Sequence, residues 1–422
     1  MACMPAGCRR SEPVSGGTGG DMGFAMKEQA STPSATTETV HRFYGTERVR
    51  YGASFGEMLA NETARDGASR IFVVTAPEIV PSASFDQLKA VLGSRFCGFF
   101  SDIPPHVPIE SVLAGVAAAR EAGAQLMVTL GGGSAIDATK LISLCLAQGI
   151  GDMSGFEAYA HLAQFDPSHR PAENVDWIRS IAVPTTLSAA EFTWFAGVTD
   201  PAVGMKRVVG HPLLIPRAVL YDPRLTLGVP LPVFLASGIK AVDHAAEKIA
   251  SLAAQPFSDA MSKEALRMLA HALPRVAADP KDLPARLTCQ LAAWLSIAGG
   301  MSGVRNGASH AIGHMLGPHA SVPHGLTSCT VLASVMRWNR PVNHERQAVI
   351  SAALGRKGVD AGDAIEDLVS GLRLPTRLRD IGVPRAELTE IARKTMEDSL
   401  VCSNPRKIST AQDVLEILEM AY

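Results

Sequence analysis

Short apolar runs alternate with amphipathic segments between residues 70 and 190, and this alternation limits the possible folds more than any other feature. The runs at residues 70–74 (RIFVV) and 125–130 (QLMVTL) have the length and composition of strands that are buried on both faces. Residues 109–122 and 135–147 have helical periodicity, and residues 43–54 resemble an opening strand. Strands that alternate with helices form a parallel sheet with helices on both faces, so we predict an α/β domain.

The second half of the chain has a different pattern. Strand signals stop after Asp222-Pro223, and helical segments separated by prolines continue to the C-terminus, which predicts an all-α domain. Residues 1–38 are rich in Gly, Ser, Thr and Ala and lack apolar periodicity, so we expect them to be disordered. The predicted α/β domain covers residues 39–205 and the helical domain residues 206–422, with the boundary in a Pro-containing stretch at about 200–222.

Composition argues against several classes of function. The 422 residues carry a formal net charge of −2, which argues against nucleic acid or an anionic membrane as a partner. No apolar run approaches the roughly 20 residues that span a bilayer, and Arg9-Arg10 is not followed by the apolar segment of a signal peptide. The seven cysteines show no CxxC spacing and no even framework, so we expect reduced thiols in a cytoplasmic protein.

The first motif with chemical meaning is Gly131-Gly132-Gly133-Ser134, which lies between a predicted strand and a predicted helix. Glycines let the backbone approach a ligand closely, and the N-terminus of the next helix offers free N–H groups to a pyrophosphate. A tight strand-to-helix turn would explain an isolated Gly triplet equally well. The motif is neither GxGxxG nor GxxxxGK[ST], which disfavours a standard Rossmann fingerprint and a P-loop.

The second motif is Pro184-Thr185-Thr186, at the end of another predicted strand. Two hydroxyl groups at the carboxyl edge of an open α/β sheet lie where such sheets bind ligands. An ordinary hydroxyl-stabilised turn is the alternative explanation. Together with the Gly triplet, the threonines predict a second wall of a dinucleotide cleft.

The third motif is a set of histidines with a lysine. Lys240 and His244 lie one helical turn apart, and His310 and His314 form a second such pair, followed by His324 at a predicted helix start. Three imidazoles and one carboxylate would bind a divalent metal, whereas three imidazoles and an ammonium group should not. A single histidine on an apolar helix is usually structural. We therefore interpret the histidines without such spacing as structural; they are His106, His161, His169, His211, His271 and His319.

The motifs GGGSAID, PTTLSAAEFT, LYDPRLT, DHAAE and HAIGHMLG together resemble those of iron-containing (group III) alcohol dehydrogenases, which share a fold with dehydroquinate synthase and glycerol dehydrogenase. The resemblance spans residues 41–422. Within that family, the spacing in PTTLSAAEFT, the run PHVP at residues 105–108 and Asn404-Pro405-Arg406 are similar to maleylacetate reductases. The resemblance implies a Rossmann-type nucleotide-binding domain followed by a helical catalytic domain.

The resemblance also implies roles for individual residues. It assigns the cofactor NAD(P)H to Gly131, Gly132, Gly133, Ser134, Asp137, Thr185, Thr186 and Lys206. It matches His244, His310 and His324 to the family's metal-binding histidines, and His314 to the histidine near the reacting carbonyl. Lys240 stands where metal-dependent members have Asp and maleylacetate reductases tend to have Asn, so we expect no bound metal. Ala76 replaces an Asp that binds the adenosine ribose in many members, so NADPH should bind at least as well as NADH.

The predicted activity is metal-independent reduction of a small carbonyl compound, for which carboxylated compounds are candidates. The predicted catalytic residues are Lys240, His244, His310, His314 and His324. Lys240 would stabilise the developing oxyanion, or bind a substrate carboxylate while His314 or His324 donates the proton. Alternatively, Lys240 extends out of the cleft or pairs with Asp243 or Glu247. Two other functions stay open, a redox-neutral lyase or cyclase on the same fold and a binding protein without turnover. We expect a homodimer that acts on a small molecule.

Overall fold

The structure is a computed structural model that describes residues 45–104, 106–160, 176–200, 205–320, 322 and 324–422. The predicted disordered segment at residues 1–38 lies outside these ranges. The strands are β1 (Arg48–Tyr51), β2 (Ile71–Thr75), β3 (Phe96–Phe100), β4 (Leu126–Gly131), β5 (Arg179–Pro184), β6 (Phe195–Asp200), β7 (Met205–Gly210) and β8 (Ala218–Tyr221). The helices that accompany them are α1 (Phe55–Asp66), α2 (Ala83–Leu92), α3 (Ile109–Glu121), α4 (Gly133–Gln148) and α5 (Glu157–Ala160).

Six of the strands form one parallel sheet in the order β1-β8-β5-β4-β2-β3, and β6 and β7 form a separate antiparallel hairpin. From β2 the chain first moves outward to β3 and then returns across β2 to β4. The direction of winding therefore reverses between β2 and β4. Open α/β sheets bind ligands at the carboxyl ends of the strands beside such a reversal.

The predicted double covering of the sheet is confirmed by the side chains of β2. Ile71 and Val73 pack with residues of α1 and α2, whereas Phe72 and Val74 pack with residues of α3 and α4 on the opposite face. Successive side chains of a strand point to opposite faces, so a strand covered on both sides must be apolar at every position. This is why the short run RIFVV predicts a central strand.

The second part of the chain is helical, as predicted. It contains α6 (Leu231–Ala250), α7 (Pro256–Ala278), α8 (Leu283–Met301), α9 (Ala308–Ala320), α10 (His324–Ala353), α11 (Ala361–Gly371), α12 (Leu388–Thr395) and α13 (Ala411–Ala421). β8 pairs with β1 and β5 in the sheet, so the sheet continues past the boundary predicted at residues 205–206. The reason is that after the β6–β7 hairpin the chain returns to the sheet and inserts β8 between β1 and β5, and the first long helix begins only at Leu231.

Helix α6 passes through the middle of the helical part and packs against α7, α8 and α10. It is buried on nearly all sides, and its buried residues include Lys240, Asp243, Glu247 and Lys248. Buried charged groups need partners, so this helix directs attention to the groups around it.

Two further expectations can be compared with the described residues. No helix in those ranges is both long and apolar enough to cross a bilayer. Cys97, Cys145, Cys289, Cys329 and Cys402 are free thiols, and three of them are buried.

Candidate active site

The Gly-rich loop lies at the reversal point of the sheet. Gly131 ends β4, Gly132 precedes α4 as its N-cap without a side-chain hydrogen bond, and no acidic residue occupies the first turn of α4. The N–H groups of this turn are therefore presented without a carboxylate that would repel an anion. Ala76, at the end of β2, lies next to Gly131. A Cβ built on Gly131 would be 3.9 Å from the backbone nitrogen of Ala76.

The predicted second wall meets this loop directly. Thr185 N–H donates to the Gly131 carbonyl over 3.0 Å. A Cβ on Gly132 would lie 3.0 Å from Cγ2 of Thr186, and a Cβ on Gly133 would lie 3.1 Å from the Ser188 side chain. Side chains at Gly132 and Gly133 would therefore crowd the segment that contains Thr186 and Ser188, and a side chain at Gly131 would crowd Ala135 of α4.

Asp137 and Lys206 belong to the region where α4 meets the β6–β7 hairpin. Asp137 accepts a hydrogen bond from Gly197 N–H over 3.3 Å. Lys206 lies in β7, paired with Thr199 of β6, and its side chain falls outside the described part of the chain. Sequence analysis did not single out Lys140, which donates to the Ala190 carbonyl at 2.5 Å and has a pKa that burial lowers to about 8. Lys140 thus fastens α4 to the segment that follows Thr186.

Lys240 and His244 of α6 lie close to His310 of α9. Lys240, His244 and His310 are all buried, and the rings of His244 and His310 stack with centroids 5.0 Å apart. The Lys240 ammonium group does not reach solvent, since its side chain is 7% exposed, and its Nζ lies 3.8 Å from Oδ2 of Asp243. Of the two alternatives considered for Lys240, extension into solvent is therefore wrong, whereas proximity to Asp243 is observed.

Two carboxyl groups of α6, which the sequence suggested only as partners for Lys240, also contact residues of α9. Oε2 of Glu247 lies 2.7 Å from Nδ1 of His310, and the same carboxyl group accepts the N–H groups of Gly307 and Ser309. Asp243 Oδ2 accepts the hydroxyl of Ser309 over 2.8 Å. The signal was present in the sequence, because Asp243 and Glu247 are four residues apart and lie on one helix face.

Burial dominates the protonation behaviour of this cluster. Burial, with the ammonium groups of Lys248 and Lys240, lowers the pKa of His244 well below its usual value, so the imidazole is neutral. Burial and the neighbouring Asp243 carboxylate raise the pKa of Glu247. Burial also lowers the pKa of Lys248, to about 8, and its Nζ donates to Oδ1 of Asn306 over 2.6 Å.

The remaining predicted residues, His314 and His324, lie on α9 and at the start of α10. Nδ1 of His314 lies 2.7 Å from Oδ2 of Asp398, which sequence analysis did not identify. His324 is the first residue of α10, and its side chain falls outside the described part of the chain. The next residue, Gly325, lies against α6, where an added Cβ would be 3.0 Å from the Ala236 backbone.

Two contacts join segments of the α/β part to the helices that carry Lys240 and His310. Leu187 N–H donates over 3.0 Å to the hydroxyl of Ser237, which lies one turn before Lys240 on α6. On the other side, Cε1 of His106 would lie 3.0 Å from a Cβ added to Gly317 of α9. The segment that follows the threonines is thus hydrogen-bonded to the helix that carries Lys240, and His106 lies against the helix that carries His310 and His314.

His106, which lies against Gly317 of α9, holds an unusual backbone conformation. Its φ is 66° and that of Val107 is 53°, a region that non-glycine residues rarely adopt. Thr199 stabilises both residues, with its N–H donating to the Val107 carbonyl and its hydroxyl to the His106 carbonyl. Sequence spacing suggested no role for His106, because its position depends on backbone geometry and on a distant helix.

Comparisons with known proteins agree with this architecture. A family model described as iron-containing alcohol dehydrogenase matches residues 46–223, and one described as the C-terminal part of the Fe-containing alcohol dehydrogenase family matches residues 234–422. A maleylacetate reductase from Sphingobium indicum is 32% identical over 375 residues, which cover 89% of this chain and 95% of that protein. A maleylacetate reductase from Burkholderia cepacia is 30% identical, with 89% and 95% covered.

A solved structure supports the same assignment. The crystal structure of maleylacetate reductase from a Rhizobium species superposes with a TM-score of 0.74 at 28% identity, over 91% of this chain and 98% of that one. The matched family models and relatives are alcohol dehydrogenases and maleylacetate reductases, so the chain is an oxidoreductase by class. The chain belongs to the iron-containing alcohol dehydrogenase family and is similar to its maleylacetate reductases.

Proposed function

We propose that the protein is a metal-independent reductase that uses NAD(P)H to reduce the carbonyl group of a small compound, with carboxylated compounds as the first candidates. Family membership and the names of its maleylacetate reductase relatives support the reaction class. The observation that carries metal independence is the buried ammonium group of Lys240, one turn from His244. Metal-dependent relatives would have a carboxylate ligand at that position.

The groups around Lys240 fit a hydrogen-bonded network better than a divalent ion. Ligand atoms of Asp243, Glu247 and His310 lie within 4.8 Å of one another, which is close enough for a metal to bridge. However, Glu247 already accepts two backbone N–H groups, and its Oε2 lies within hydrogen-bonding distance of His310. Lys240 and Lys248 add two positive charges that would repel a cation, so we derive no catalytic step through a metal.

The Gly loop fits a dinucleotide. Gly132 and Gly133 place no side chain beside the first turn of α4, this turn carries no acidic residue, and the sheet reverses at this point. When bound there, NAD(P)H supplies a hydride to the carbonyl carbon of the substrate. Ala76 adds no negative charge where the adenosine ribose would lie, which favours NADPH at least as much as NADH.

The helical cluster supplies the charge and the proton that the reduction requires. Hydride addition leaves negative charge on the carbonyl oxygen, and the Lys240 ammonium group is the buried cation that stabilises it or binds a substrate carboxylate. His314 or His324 donates the proton that completes the alcohol. A homodimer is part of the proposal, and analytical ultracentrifugation would test it.

Product analysis and metal analysis test the proposal together. Purified protein is assayed with NADPH and NADH against two probe compounds, maleylacetate and the uncharged aldehyde propanal, before and after treatment with EDTA. We expect stoichiometric oxidation of the cofactor, activity that survives the chelator, and less than about one Fe or Zn per ten chains by elemental analysis.

Other outcomes would separate the alternatives. One metal ion per chain with activity lost to EDTA would refute metal independence but leave the reductase assignment intact. Product formed without net oxidation of the cofactor would instead support a redox-neutral reaction on the same fold. Tight cofactor binding without conversion of either probe would favour a binding protein.

A further inference from the structure

His314 and Asp398 form a partly buried pair that joins helix α9 to the C-terminal part of the chain. Nδ1 of His314 lies 2.7 Å from Oδ2 of Asp398, and the two side chains are 14% and 12% exposed. His314 lies one helical turn after His310, whereas Asp398 lies between α12 and α13. The distance and the low exposure indicate a strong, charge-assisted hydrogen bond.

The carboxylate determines which nitrogen of His314 carries a proton. An ionised carboxylate only accepts hydrogen bonds, so Nδ1 must be protonated, and Nε2 is then the atom that changes its protonation state. Burial alone would raise the pKa of Asp398, but the His314 ring and its hydrogen bond, the Leu400 N–H and the Arg305 charge together lower it. Asp398 therefore remains an acceptor at neutral pH.

The segment that carries Asp398 is held in place at several points. Leu400 N–H donates to Oδ1 of Asp398 over 2.8 Å, which fixes the orientation of the carboxylate. Arg305, just before α9, donates to the hydroxyl of Ser399 over 2.7 Å. Both anchors hold Asp398 while it contacts His314.

A further anchor, Asn404, lies six residues after Asp398. The Asn404 side chain accepts Ala308 N–H at the start of α9 and donates over 2.7 Å to Asn339 of α10. Arg406 stacks on the Trp338 ring with its guanidinium carbon 3.9 Å from the ring centroid. The C-terminal segment is thus fixed to the two helices that carry His310, His314 and His324, and its Asn-Pro-Arg sequence serves this attachment.

We propose that Asp398 is the positioning residue for His314 in proton transfer to the substrate oxygen. The proton leaves Nε2 of the doubly protonated ring and bonds to the oxygen of the reduced carbonyl, while the Nδ1–H bond to Asp398 is retained throughout. Asp398 holds the imidazole in the tautomer and orientation that this transfer needs. This inference rests on the proposed function, because it takes His314 as the proton donor.

A double-mutant cycle tests the proposal. Asp398→Asn keeps the size of the side chain, but its amide can donate to Nδ1 and so permits the wrong tautomer. We expect kcat with the better of the two probe carbonyls to fall by a factor of about 10 to 100, with the dissociation constant for NADPH unchanged. In a His314→Ala background, the same change should have no further effect, because the residue through which Asp398 acts is gone.

Two controls distinguish positioning from general support of the fold. Glu397→Gln is matched in chemistry and adjacent in sequence, but Glu397 pairs with Arg393 at the surface, so kcat should be unchanged. Asp398→Glu restores a carboxylate acceptor and should recover part of the lost kcat. Thermal unfolding of each variant verifies that it folds.

The possible failures are distinguishable. A loss of kcat in Asp398→Asn that is equally large in the His314→Ala background would refute positioning, since Asp398 would then act independently of the imidazole. Unchanged kcat in Asp398→Asn together with a loss in His314→Ala would refute the inference and leave the proton donor assigned. Full activity in His314→Ala would overturn both the inference and the role of His314 in the proposed function.

Discussion

Replacing Lys240 tests the proposed chemistry most directly. Its Nζ lies 3.8 Å from Asp243, and two unit charges at that separation interact by about 4 kcal/mol at an effective dielectric constant near 20. A similar distance to the substrate oxygen would supply the roughly 3 to 4 kcal/mol that one oxyanion-stabilising group contributes. Lys240→Met should therefore lower kcat by a factor of about 10² to 10³, with cofactor affinity nearly unchanged. If Lys240 binds a substrate carboxylate equally in the ground and transition states, KM should rise instead.

Lys240→Asp is the sharper perturbation. It removes the attraction to Asp243 and adds a repulsion of similar size, about 4 kcal/mol, which a divalent ion bound between the carboxylates and His244 would relieve. We expect this variant to take up close to one Zn²⁺ per chain. Free Zn²⁺ at 100 times its dissociation constant should raise the free energy of unfolding by about 2.7 kcal/mol.

Elemental analysis and thermal unfolding with and without Zn²⁺ provide the measurements. Lys89→Asp is the matched control, because Lys89 also pairs with an Asp three residues away, Asp86, but at the surface. It should bind no metal and retain its turnover. A Lys240→Met variant with wild-type kinetics, together with a Lys240→Asp variant that takes up no metal, would refute the assignment of Lys240 to the site.

Three other predictions concern the cofactor and the stability of the α/β domain. Ala76→Asp should raise the dissociation constant for NADPH at least tenfold while affecting NADH little, because it places a carboxylate near the 2′-phosphate; equal effects in fluorescence titrations would contradict this. Gly133→Val should weaken both cofactors alike, since a Cβ there lies 3.1 Å from Ser188 and beside the shared pyrophosphate. Burial lowers the pKa of His211 to about 4, and its Nδ1 accepts Leu213 N–H. The imidazole of His211 therefore takes up a proton more readily in the unfolded chain than in the folded one. The neutral imidazole stabilises the fold fully above pH 6.5, and the free energy of unfolding should fall by about 2 to 3 kcal/mol by pH 4.5. In urea unfolding, His211→Asn, which still accepts the N–H but does not titrate, should show less of this loss.

The sequence predicted those parts of the fold that depend only on residues close together in the chain. Runs such as RIFVV and the helical segments around residues 109–122 lie where β2 and α3 are found, because side-chain periodicity is complete within one element. The order of the strands and the β6–β7 hairpin were not predicted. They depend on pairings between segments far apart in the chain, such as β1 with β8, for which no local pattern exists.

The candidate active site likewise combines features set by local sequence with features set by tertiary packing. By itself, the sequence determined that Lys240, His244, His310 and His314 occur as two helical pairs, since a spacing of four residues places side chains on one face. Only the tertiary structure decided that Lys240 points inward beside Asp243. It also decided that His310 is supported by Glu247, 63 residues away, and His314 by Asp398, 84 residues away. Hydrogen-bond partners at such separations are selected by how helices pack, and packing depends on the fit of the whole core rather than on any one segment.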